Sequence, residues 1–270
     1  MTDTATYMQR LLVFDPLGKP VARSAIQALE INPGSRGLDI GCGIGTHAMM
    51  MAEAVGSKGH VTGIDIEPTF VAYAKKAAAK ASLSDMVSFQ EGDMNKLPFN
   101  DKTFNWTWSA NLIGYRPTDP LLPLKEMVRV VNPGGIVAIL IYSSQMLLPG
   151  YPLLEAKLNT TSSGIAPFTS GMRPELHALR ALSWFRDVDL KDARAQTFVS
   201  TVQAPLSDDI YNAMTALIKM RWVDVKTELS EEDWAEYQRL CNPDSPDFIL
   251  NHPDYYAFFT YTLFHGQVPK

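Results

Sequence analysis

The residues best suited to do chemistry lie in one short segment, Gly37-Leu38-Asp39-Ile40-Gly41-Cys42-Gly43-Ile44-Gly45-Thr46. An apolar run leads to the carboxylate of Asp39, and glycines then stand at every second position. Glycine adopts positive φ easily and lets the backbone approach a ligand closely. A helix that opens near Thr46 would direct its unpaired first-turn N–H groups at the same place. The segment therefore predicts a ligand-binding strand–turn–helix.

The spacing of the glycines indicates which ligand fits. A dinucleotide fingerprint, G-x-G-x-x-G, would require glycine at positions 41, 43 and 46, but the third glycine comes one residue early, at Gly45. Asp39 would also repel a pyrophosphate, whereas it suits a ligand with an amino group and a positive centre. Asp65 closes the next strand, about 20 residues on, where an acid can bind two ribose hydroxyls. An adenosine with a cationic amino-acid tail fits all three features.

Further motifs follow in a fixed order along residues 20–142. The segment Asp39–Gly45 resembles the first motif of the class I S-adenosylmethionine-dependent methyltransferases, and Asp65 resembles their ribose-binding acid. The other matching segments are Glu91-Gly92-Asp93-Met94, Leu97-Pro98-Phe99, Phe104, Ser109-Ala110-Asn111 and Val131-Asn132-Pro133-Gly134-Gly135. The pattern is most similar to the small-molecule branch that includes the ubiquinone/menaquinone biosynthesis methyltransferases. The set is highly specific for the superfamily, but it does not specify a substrate.

This resemblance implies an α/β fold of the Rossmann-like type, with S-adenosyl-L-methionine as the cofactor. The implied sheet has seven strands, its last strand antiparallel between the fifth and sixth, with helices on both faces and a helical lid insertion. Asp93 would hold the adenine amino group and Met94 would pack on the ring, while His47 either approaches the methionine tail or is solvated. The expected cofactor-binding residues are Asp39, Gly41, Cys42, Gly43, Gly45, Thr46, His47, Asp65, Ile66, Asp93, Met94, Ser109 and Ala110.

Composition narrows the class of protein. The 270 residues are 46% hydrophobic and 20% charged, which is ordinary for a globular domain, and the net charge is −5. Nucleic-acid-binding proteins usually carry a basic face, so a polynucleotide substrate is disfavoured. We expect no secretory signal and no membrane span. We also expect no metal site, because Cys42 and Cys241 have no metal-ligand spacing. The expected setting is the reduced cytoplasm.

The periodicity divides one methyltransferase domain, residues 1–270, into functional parts. Residues 1–30 are expected to form cap helices, 31–142 the cofactor-binding core, and 143–192 with 205–250 the lid and substrate insertions. Trp106 and Trp108 share one face of a strand and are expected in the core. The predicted helices are Pro20–Glu30, Thr46–Val55, Pro68–Ala81, Pro120–Val130, Pro174–Phe185, Asp208–Val223 and Glu231–Leu240.

The acceptor side is less well determined. Tyr7, Asn111, Tyr115, Tyr142 and Tyr151 are candidates for binding a small, apolar or aromatic methyl acceptor. Candidate general bases are His265, which ends the last strand, Tyr142 and His177. Positions 109–111 lack the Asn/Asp-Pro-Pro-aromatic motif of adenine- or glutamine-modifying relatives, which removes that substrate class.

Two other functions remain open from the sequence. An NAD(P)-dependent oxidoreductase is disfavoured by Gly45 and Asp39, as argued above. A non-catalytic methyltransferase-like binding module would keep the glycine loop without turnover, and the sequence does not decide against it. The acceptor, the methylated element and the oligomeric state are not encoded in any motif.

Overall fold

The seven-stranded sheet predicted from the sequence is confirmed. The structure is a computed structural model that describes residues 4–114, 118–166 and 173–270. Within them one sheet has the order β3-β2-β1-β4-β5-β7-β6, with β1 to β5 parallel and β7 antiparallel to both β5 and β6. The strands are β1 (Arg36–Ile40), β2 (His60–Asp65), β3 (Val87–Glu91), β4 (Phe104–Ala110), β5 (Val131–Met146), β6 (Lys191–Gln203) and β7 (Tyr256–Gln267).

Helices cover both faces of this sheet. Apolar side chains of α1, α2 and α3 pack on one face, and those of α4 and α7 pack on the other. No helix among the described ranges is long and apolar enough to cross a membrane. The helices are α1 (Thr4–Ala28), α2 (Thr46–Val55), α3 (Pro68–Lys80), α4 (Leu121–Val130), α5 (Pro152–Thr160), α6 (Ser162–Ile165), α7 (Ala181–Asp187), α8 (Asp208–Arg221) and α9 (Glu231–Cys241).

Two tryptophans of β4 form the centre of the layer under α2. Trp106 and Trp108 are 3% and 0% exposed, which confirms the prediction that both belong to the core. The Trp106 indole N–H donates to the Ser35 hydroxyl at 3.0 Å, so its polar atom is satisfied. Both rings point to the α2 face because residues two apart in a strand share a face.

The first helix is longer than predicted. The sequence indicated a start at Pro20, but α1 begins at Thr4 and continues through Pro16 and Pro20 as one helix rather than several cap helices. Its first half is held by contacts with α3, which the local sequence does not reveal. The Thr4 hydroxyl lies 3.3 Å from a carboxylate oxygen of Glu67, and the ring of Tyr7 lies 5.7 Å from that of Phe70.

The fifth strand is also longer than predicted. A turn at 132–135 and a strand over 136–142 were expected, but β5 runs from Val131 to Met146. Its partner β7 extends the pairing as far as Met146, which lies opposite Phe258, with a bulge between Tyr142 and Ser144. The carboxyl end of β5 therefore projects beyond those of β1 and β4.

The segment after β5 differs most from the prediction. The expected polar loop at 159–163 is mostly helical, since α5 extends to Thr160 and α6 begins at Ser162. The expected helix over 174–185 is instead two short 3-10 turns, 174–176 and 178–180, followed by α7. Together α5, α8 and α9 bury a second apolar cluster against the start of β7 and against Leu17 of α1.

A buried carboxylate fixes the connection from β5 to α5. Glu155 is 2% exposed and accepts backbone hydrogen bonds from Leu147 at 2.7 Å and from Leu148 at 2.9 Å. Burial raises the pKa of this carboxyl, because the two amide bonds only partly offset the loss of water. The Tyr255 hydroxyl donates to the Leu147 carbonyl at 3.1 Å and closes the same turn.

Candidate functional site

The glycine loop adopts the backbone conformations that the sequence predicted. Gly41, Gly43 and Gly45 have φ of 70°, 51° and 84°, in the left-handed region that favours glycine. The amides of Gly41 and Cys42 both donate to the Ile64 carbonyl at 2.9 Å, which ties the loop to the end of β2. The turn between β1 and α2 thus lies at the carboxyl edge of the sheet, where open α/β sheets bind ligands.

Gly45 has a second reason to be glycine. It caps the amino end of α2, and a Cβ at this position would lie 2.8 Å from the Cβ of Ala74 and 2.8 Å from Cζ of Phe89. Gly56, at the other end of α2, also has a positive φ of 68°, but nothing lies within 4 Å of its would-be Cβ. The two glycines differ in ψ as well, 4° at Gly45 and −175° at Gly56, and the second conformation is one that essentially only glycine adopts.

Asp39 is a buried carboxylate without a counter-ion. It is the penultimate residue of β1, it is 2% exposed, and its Oδ2 atom has no hydrogen-bond partner. Burial, followed by the negative charge of Asp65, raises the pKa of Asp39 to about 8, and the Ala48 amide in the first turn of α2 lowers it only in part. A positively charged group at this position would remove the cause of the shift.

Asp65 ends β2 and lies directly against the loop. One of its carboxylate oxygens accepts from the Gly43 amide at 2.9 Å, and the other accepts from the Glu67 amide at 3.0 Å. Burial, followed by the neighbouring Asp39 and Asp65, raises the pKa of the Cys42 thiol above its ordinary value. Asp65 lies directly against the amides of the loop, so its negative charge opposes binding of a diphosphate there.

The residues expected at the adenine lie at the next two strand ends. Ile66, directly after β2, is 74% exposed, so an apolar side chain presents itself to solvent beside Asp65. Asp93, two residues after β3, is exposed, and one of its oxygens accepts from the backbone and side-chain N–H groups of Asn95 at 2.9 and 3.0 Å. Met94 is half-buried against the core below. The acids of β1, β2 and β3 therefore line one edge.

His47 is neutral in this structure. Its Nδ1 accepts from the indole N–H of Trp108 at 3.4 Å, and the two rings meet edge to face at 5.8 Å. Burial lowers the pKa of His47 to about 4, against a smaller opposite effect from the carboxylate of Asp15 in α1. The proton is therefore on Nε2, since Nδ1 accepts. Thr46, the first residue of α2, is half-buried beside it.

The end of β4 joins its neighbours through side chains. The Ser109 hydroxyl donates to the Ile40 carbonyl at 2.9 Å and links β4 to β1, while Ala110 is the last residue of the strand. Asn111 has a positive φ of 50°, and its Oδ1 accepts from the backbone amide of Tyr142 at 2.8 Å. Ser109 thus ties β4 to β1 beside the glycine loop, and Asn111 ties the end of β4 to β5 beside Tyr142.

Tyr142 belongs to an aromatic cluster at the projecting end of β5. Its ring stacks on Phe259 at 6.1 Å and meets Tyr261 edge to face at 5.3 Å, and its hydroxyl donates to Oε1 of Gln145 at 2.5 Å. We call Tyr142, Phe259 and Tyr261 the aromatic cluster. The structure thus brings Tyr142 together with Asn111, as expected for the acceptor side.

The structure does not bring His265 to this edge. Because β7 is antiparallel, its last residues run back toward the amino ends of the parallel strands, and His265 pairs with Ala138, level with Asp39. It is three strands from Asp39, about 14 Å at the usual strand spacing. Burial and the nearby Arg194 lower the pKa of His265.

The other acceptor candidates are dispersed. Tyr7 lies on α1 against α3, on the cofactor side. The hydroxyl of Tyr151 accepts from Arg239 at 3.3 Å, and the guanidinium lies 5.6 Å from its ring centre. His177 accepts the Leu179 amide at its Nδ1 and caps a short turn. Tyr115 lies outside the described residues.

Three residues of the site carry no sequence signal. Leu11 of α1 lies over Gly43, with its Cδ1 3.4 Å from the position of a Cβ there, and the Leu112 side chain packs directly against Gly41. Gln145 was missed because β5 was expected to end at Tyr142. A leucine or a glutamine belongs to no motif, and only the continuation of α1 and β5 brings these side chains to the site.

Comparison with known families is consistent with this geometry. A family model described as a methyltransferase domain matches residues 31–172, which is more than half of the chain. The chain belongs to this methyltransferase domain family. The match includes the glycine loop, the three strand-end acids and the carboxyl end of β5, whereas Leu11 of α1 and the β7 rings Phe259 and Tyr261 lie outside it.

Curated relatives match about half of this methyltransferase domain. It is 35% identical over 127 residues to the demethylmenaquinone methyltransferase of Staphylococcus epidermidis, covering 47% of this chain and 51% of the relative. It is 37% identical over 123 residues to the protein of that name from Lysinibacillus sphaericus, covering 46% and 50%. The chain spans about half the length of the curated relatives it matches.

Solved structures show that the fold extends over nearly the whole methyltransferase domain. A Haloferax volcanii putative methyltransferase, solved in complex with the Trm112 methyltransferase activator, has a TM-score of 0.61 and 19% identity, over 98% of this chain and 96% of that one. The YcgJ protein from Bacillus subtilis has a TM-score of 0.55 and 17% identity, over 93% and 99%. At this identity the likeness concerns the fold.

Proposed function

We propose that this protein transfers a methyl group from S-adenosyl-L-methionine to a small, apolar or aromatic acceptor. The observation that carries the proposal is Asp39, a 2% exposed carboxylate at a glycine loop with one oxygen unpartnered. A buried carboxylate requires a cation or hydrogen-bond donor to be stable in its charged form. The amino-acid end of this cofactor carries an ammonium group, which supplies both.

The remaining cofactor residues would each hold one part of the molecule. Asp65 would bind the ribose hydroxyls, since each carboxylate oxygen can accept more than the one amide bond it has. The exposed Ile66 and the half-buried Met94 would contact the adenine ring, and the free oxygen of Asp93 would accept from its amino group. The Gly41–Gly45 backbone would lie against the amino-acid end.

The bound cofactor would supply an electrophilic methyl group on a sulfonium. The acceptor would bond to this methyl group in line with the breaking bond, and the sulfur would leave as a neutral thioether. The protein therefore chiefly supplies position and exclusion of water. Holding nucleophile and methyl near contact distance can contribute about 7–11 kcal/mol to lowering the barrier. Leu11 and Leu112, which lie against Gly43 and Gly41, supply the apolar walls that exclude water on the cofactor side.

On the acceptor side we propose that the aromatic cluster and the segments 143–192 and 205–250 bind the substrate. The relatives named demethylmenaquinone methyltransferase support a small acceptor of this kind. Tyr142 is better placed than His265 to contact the nucleophile, because it lies at the carboxyl edge beside Asn111. Cys42 and Cys241 are both buried free thiols, which supports the proposal of a reducing, cytoplasmic setting.

Calorimetry and label transfer test this proposal in sequence. We expect the purified protein to bind S-adenosylmethionine and S-adenosylhomocysteine, and not to bind NADH or NADPH at the same concentration. Binding of a dinucleotide alone would refute the proposal in favour of an oxidoreductase. Transfer of a labelled methyl group to a panel of aromatic acceptors then distinguishes an enzyme from a binding module, which would bind the cofactor and transfer nothing.

A further inference from the structure

The side-chain amide of Gln145 has an unsatisfied donor. Its Oε1 accepts from the Tyr142 hydroxyl at 2.5 Å, whereas its Nε2 atom is buried and has no hydrogen-bond partner among the described residues. Buried polar atoms are nearly always paired in folded proteins, and an unpaired one costs stability. An N–H group in this state can bind an oxygen atom of a ligand.

The surroundings of Gln145 are aromatic. It lies opposite Phe259 on β7, and the register places both side chains on the same face of the sheet. Phe259 stacks on Tyr142, and Tyr261 meets Tyr142 edge to face. Flat rings that pack in this way also contact a planar ligand favourably. The amide of Gln145 thus lies at the edge of a surface lined by aromatic rings.

The first helix lies over the same surface. Gly18 of α1 faces this surface, since a Cβ there would lie 3.9 Å from the Tyr261 hydroxyl. Val13 and Phe14 of α1 are half-buried against the apolar cluster that contains Phe259. The aromatic cluster is therefore enclosed between sheet and helix, as a site that excludes water must be.

The site is adjacent to the glycine loop. Asn111 joins the end of β4 to the backbone of Tyr142, and the neighbouring Leu112 packs against Gly41. The strand β5 is two positions from β1 in the sheet order, so the lateral separation is about 10 Å. A bound cofactor tail and one acceptor ring, placed side by side, would fill this separation between β1 and β5.

We propose that Gln145 determines acceptor specificity by donating a hydrogen bond from Nε2 to a carbonyl or similar acceptor oxygen on a planar aromatic substrate. The Tyr142 hydroxyl contacts the amide at Oε1, and the aromatic cluster binds the ring. This inference rests on the proposed methyl transfer, because it concerns the acceptor side of that same site. It adds a chemical requirement, an oxygen on the ring, that apolar packing alone does not impose.

Two probes that differ in one atom group test this requirement. 1-Acetylnaphthalene carries a carbonyl where 1-isopropenylnaphthalene carries a C=CH2 group of the same shape. Equilibrium dialysis measures both dissociation constants with saturating S-adenosylhomocysteine present. For the wild type we expect the ketone to bind about tenfold more tightly, the effect of one net hydrogen bond.

Gln145→Leu removes the donor and is expected to bring the ratio of the two constants to about one. Gln145→Glu keeps the shape and an acceptor for Tyr142 but has no N–H group, so it loses the preference as well. The matched control is Gln196→Leu, at an exposed glutamine of β6, which keeps the tenfold preference. Titration with S-adenosylhomocysteine shows that each variant is folded.

The outcomes separate this inference from the proposed function. A tenfold preference that persists in Gln145→Leu, or in Gln145→Glu if the leucine variant does not fold, overturns the role of Gln145. Equal binding of the two probes by the wild type, or binding of neither, also overturns it while leaving cofactor binding intact. If the wild type binds no S-adenosylhomocysteine, the proposed function fails, and the probe ratio measured without it still decides the role of Gln145.

Discussion

Replacement of Asp39 by asparagine is the most informative perturbation of the cofactor side. Asp39→Asn keeps the size of the side chain but removes its charge at every pH. In the wild type the free protein holds this carboxyl with a pKa of about 8, because burial and the charge of Asp65 oppose ionisation. A bound ammonium group favours ionisation instead, so binding of the cofactor is expected to release a proton from Asp39 at neutral pH.

The size of the pH dependence follows from the pKa. If the carboxyl ionises fully in the complex, the binding constant scales with the ionised fraction in the free protein, which is about 1% at pH 6 and about 9% at pH 7 for a pKa of about 8. The affinity should therefore rise about ninefold over this interval. The ligand amino group, with an ordinary pKa of about 7.7–8.0, remains mostly protonated there.

The assay is calorimetric titration with S-adenosylhomocysteine, which has the ammonium group but not the sulfonium charge. Repeating each titration in buffers of different ionisation enthalpy counts the protons released. Asp39→Asn should bind about 10- to 100-fold more weakly at pH 7, since a charged hydrogen bond contributes about 1.5–3 kcal/mol, and its affinity should not depend on pH. Asp85→Asn, at an exposed acid, is the control and should retain the slope.

The same reasoning predicts the opposite effect on stability. A carboxyl whose pKa is raised by folding destabilises the free protein as pH rises from its unfolded value of 3.8 to its folded value of about 8, by roughly 5 kcal/mol in total. Asp39→Asn should therefore be more stable than the wild type above neutral pH while binding more weakly. An affinity that is flat between pH 6 and 7 in the wild type, with no proton released, would refute the assignment of Asp39 as the cation partner.

Three further predictions concern the scaffold of the site. Gly45→Ala should lower the free energy of unfolding by about 2–4 kcal/mol, because its Cβ would lie 2.8 Å from Ala74 and Phe89 in addition to the left-handed backbone cost of about 1–2 kcal/mol; a loss in chemical denaturation no larger than that backbone cost would show that the steric contact is unimportant. Gly56→Ala would meet no atom within 4 Å and should cost only its backbone term, about 1–3 kcal/mol. His47, whose pKa is lowered to about 4, contributes stability that is complete above pH 6.5 and is lost as the pH falls toward 4. The loss should be about 3 kcal/mol, and His47→Gln should remove it from the pH profile of thermal unfolding. Glu155→Ala leaves two buried amides unpaired and should cost about 2–4 kcal/mol, while the surface variant Glu53→Ala should cost under about 0.5 kcal/mol; a stable Glu155→Ala protein would contradict the anchoring role of this carboxylate.

Local features of the site could be predicted from the sequence, because they depend on nearby residues. The positive φ values at Gly41, Gly43 and Gly45 follow from the glycines themselves, and the acids fall at strand ends because each apolar run is short. The topology followed from the resemblance. The roles of Asp39 and Asp65 toward the cofactor remain predictions.

Features that depend on distant contacts could not be predicted. The continuation of α1 to Thr4 requires contacts with α3, and the length of β5 is set by pairing with β7, so Gln145 could not be placed at the site. His265 illustrates a different error. The antiparallel direction of β7 was anticipated, but in an antiparallel strand the last residue runs back toward the opposite end of the sheet, and this was not applied to the histidine.

A single continuous helix, α1, spans both halves of the cleft, with Leu11 over Gly43 and Gly18 beside Tyr261. Under the proposed function, the donor and the acceptor would therefore both lie beneath the same helix. The contacts of Thr4 with Glu67 and of Tyr7 with Phe70 hold the start of that helix in place, so a substitution there would be expected to affect both halves although it lies far from either.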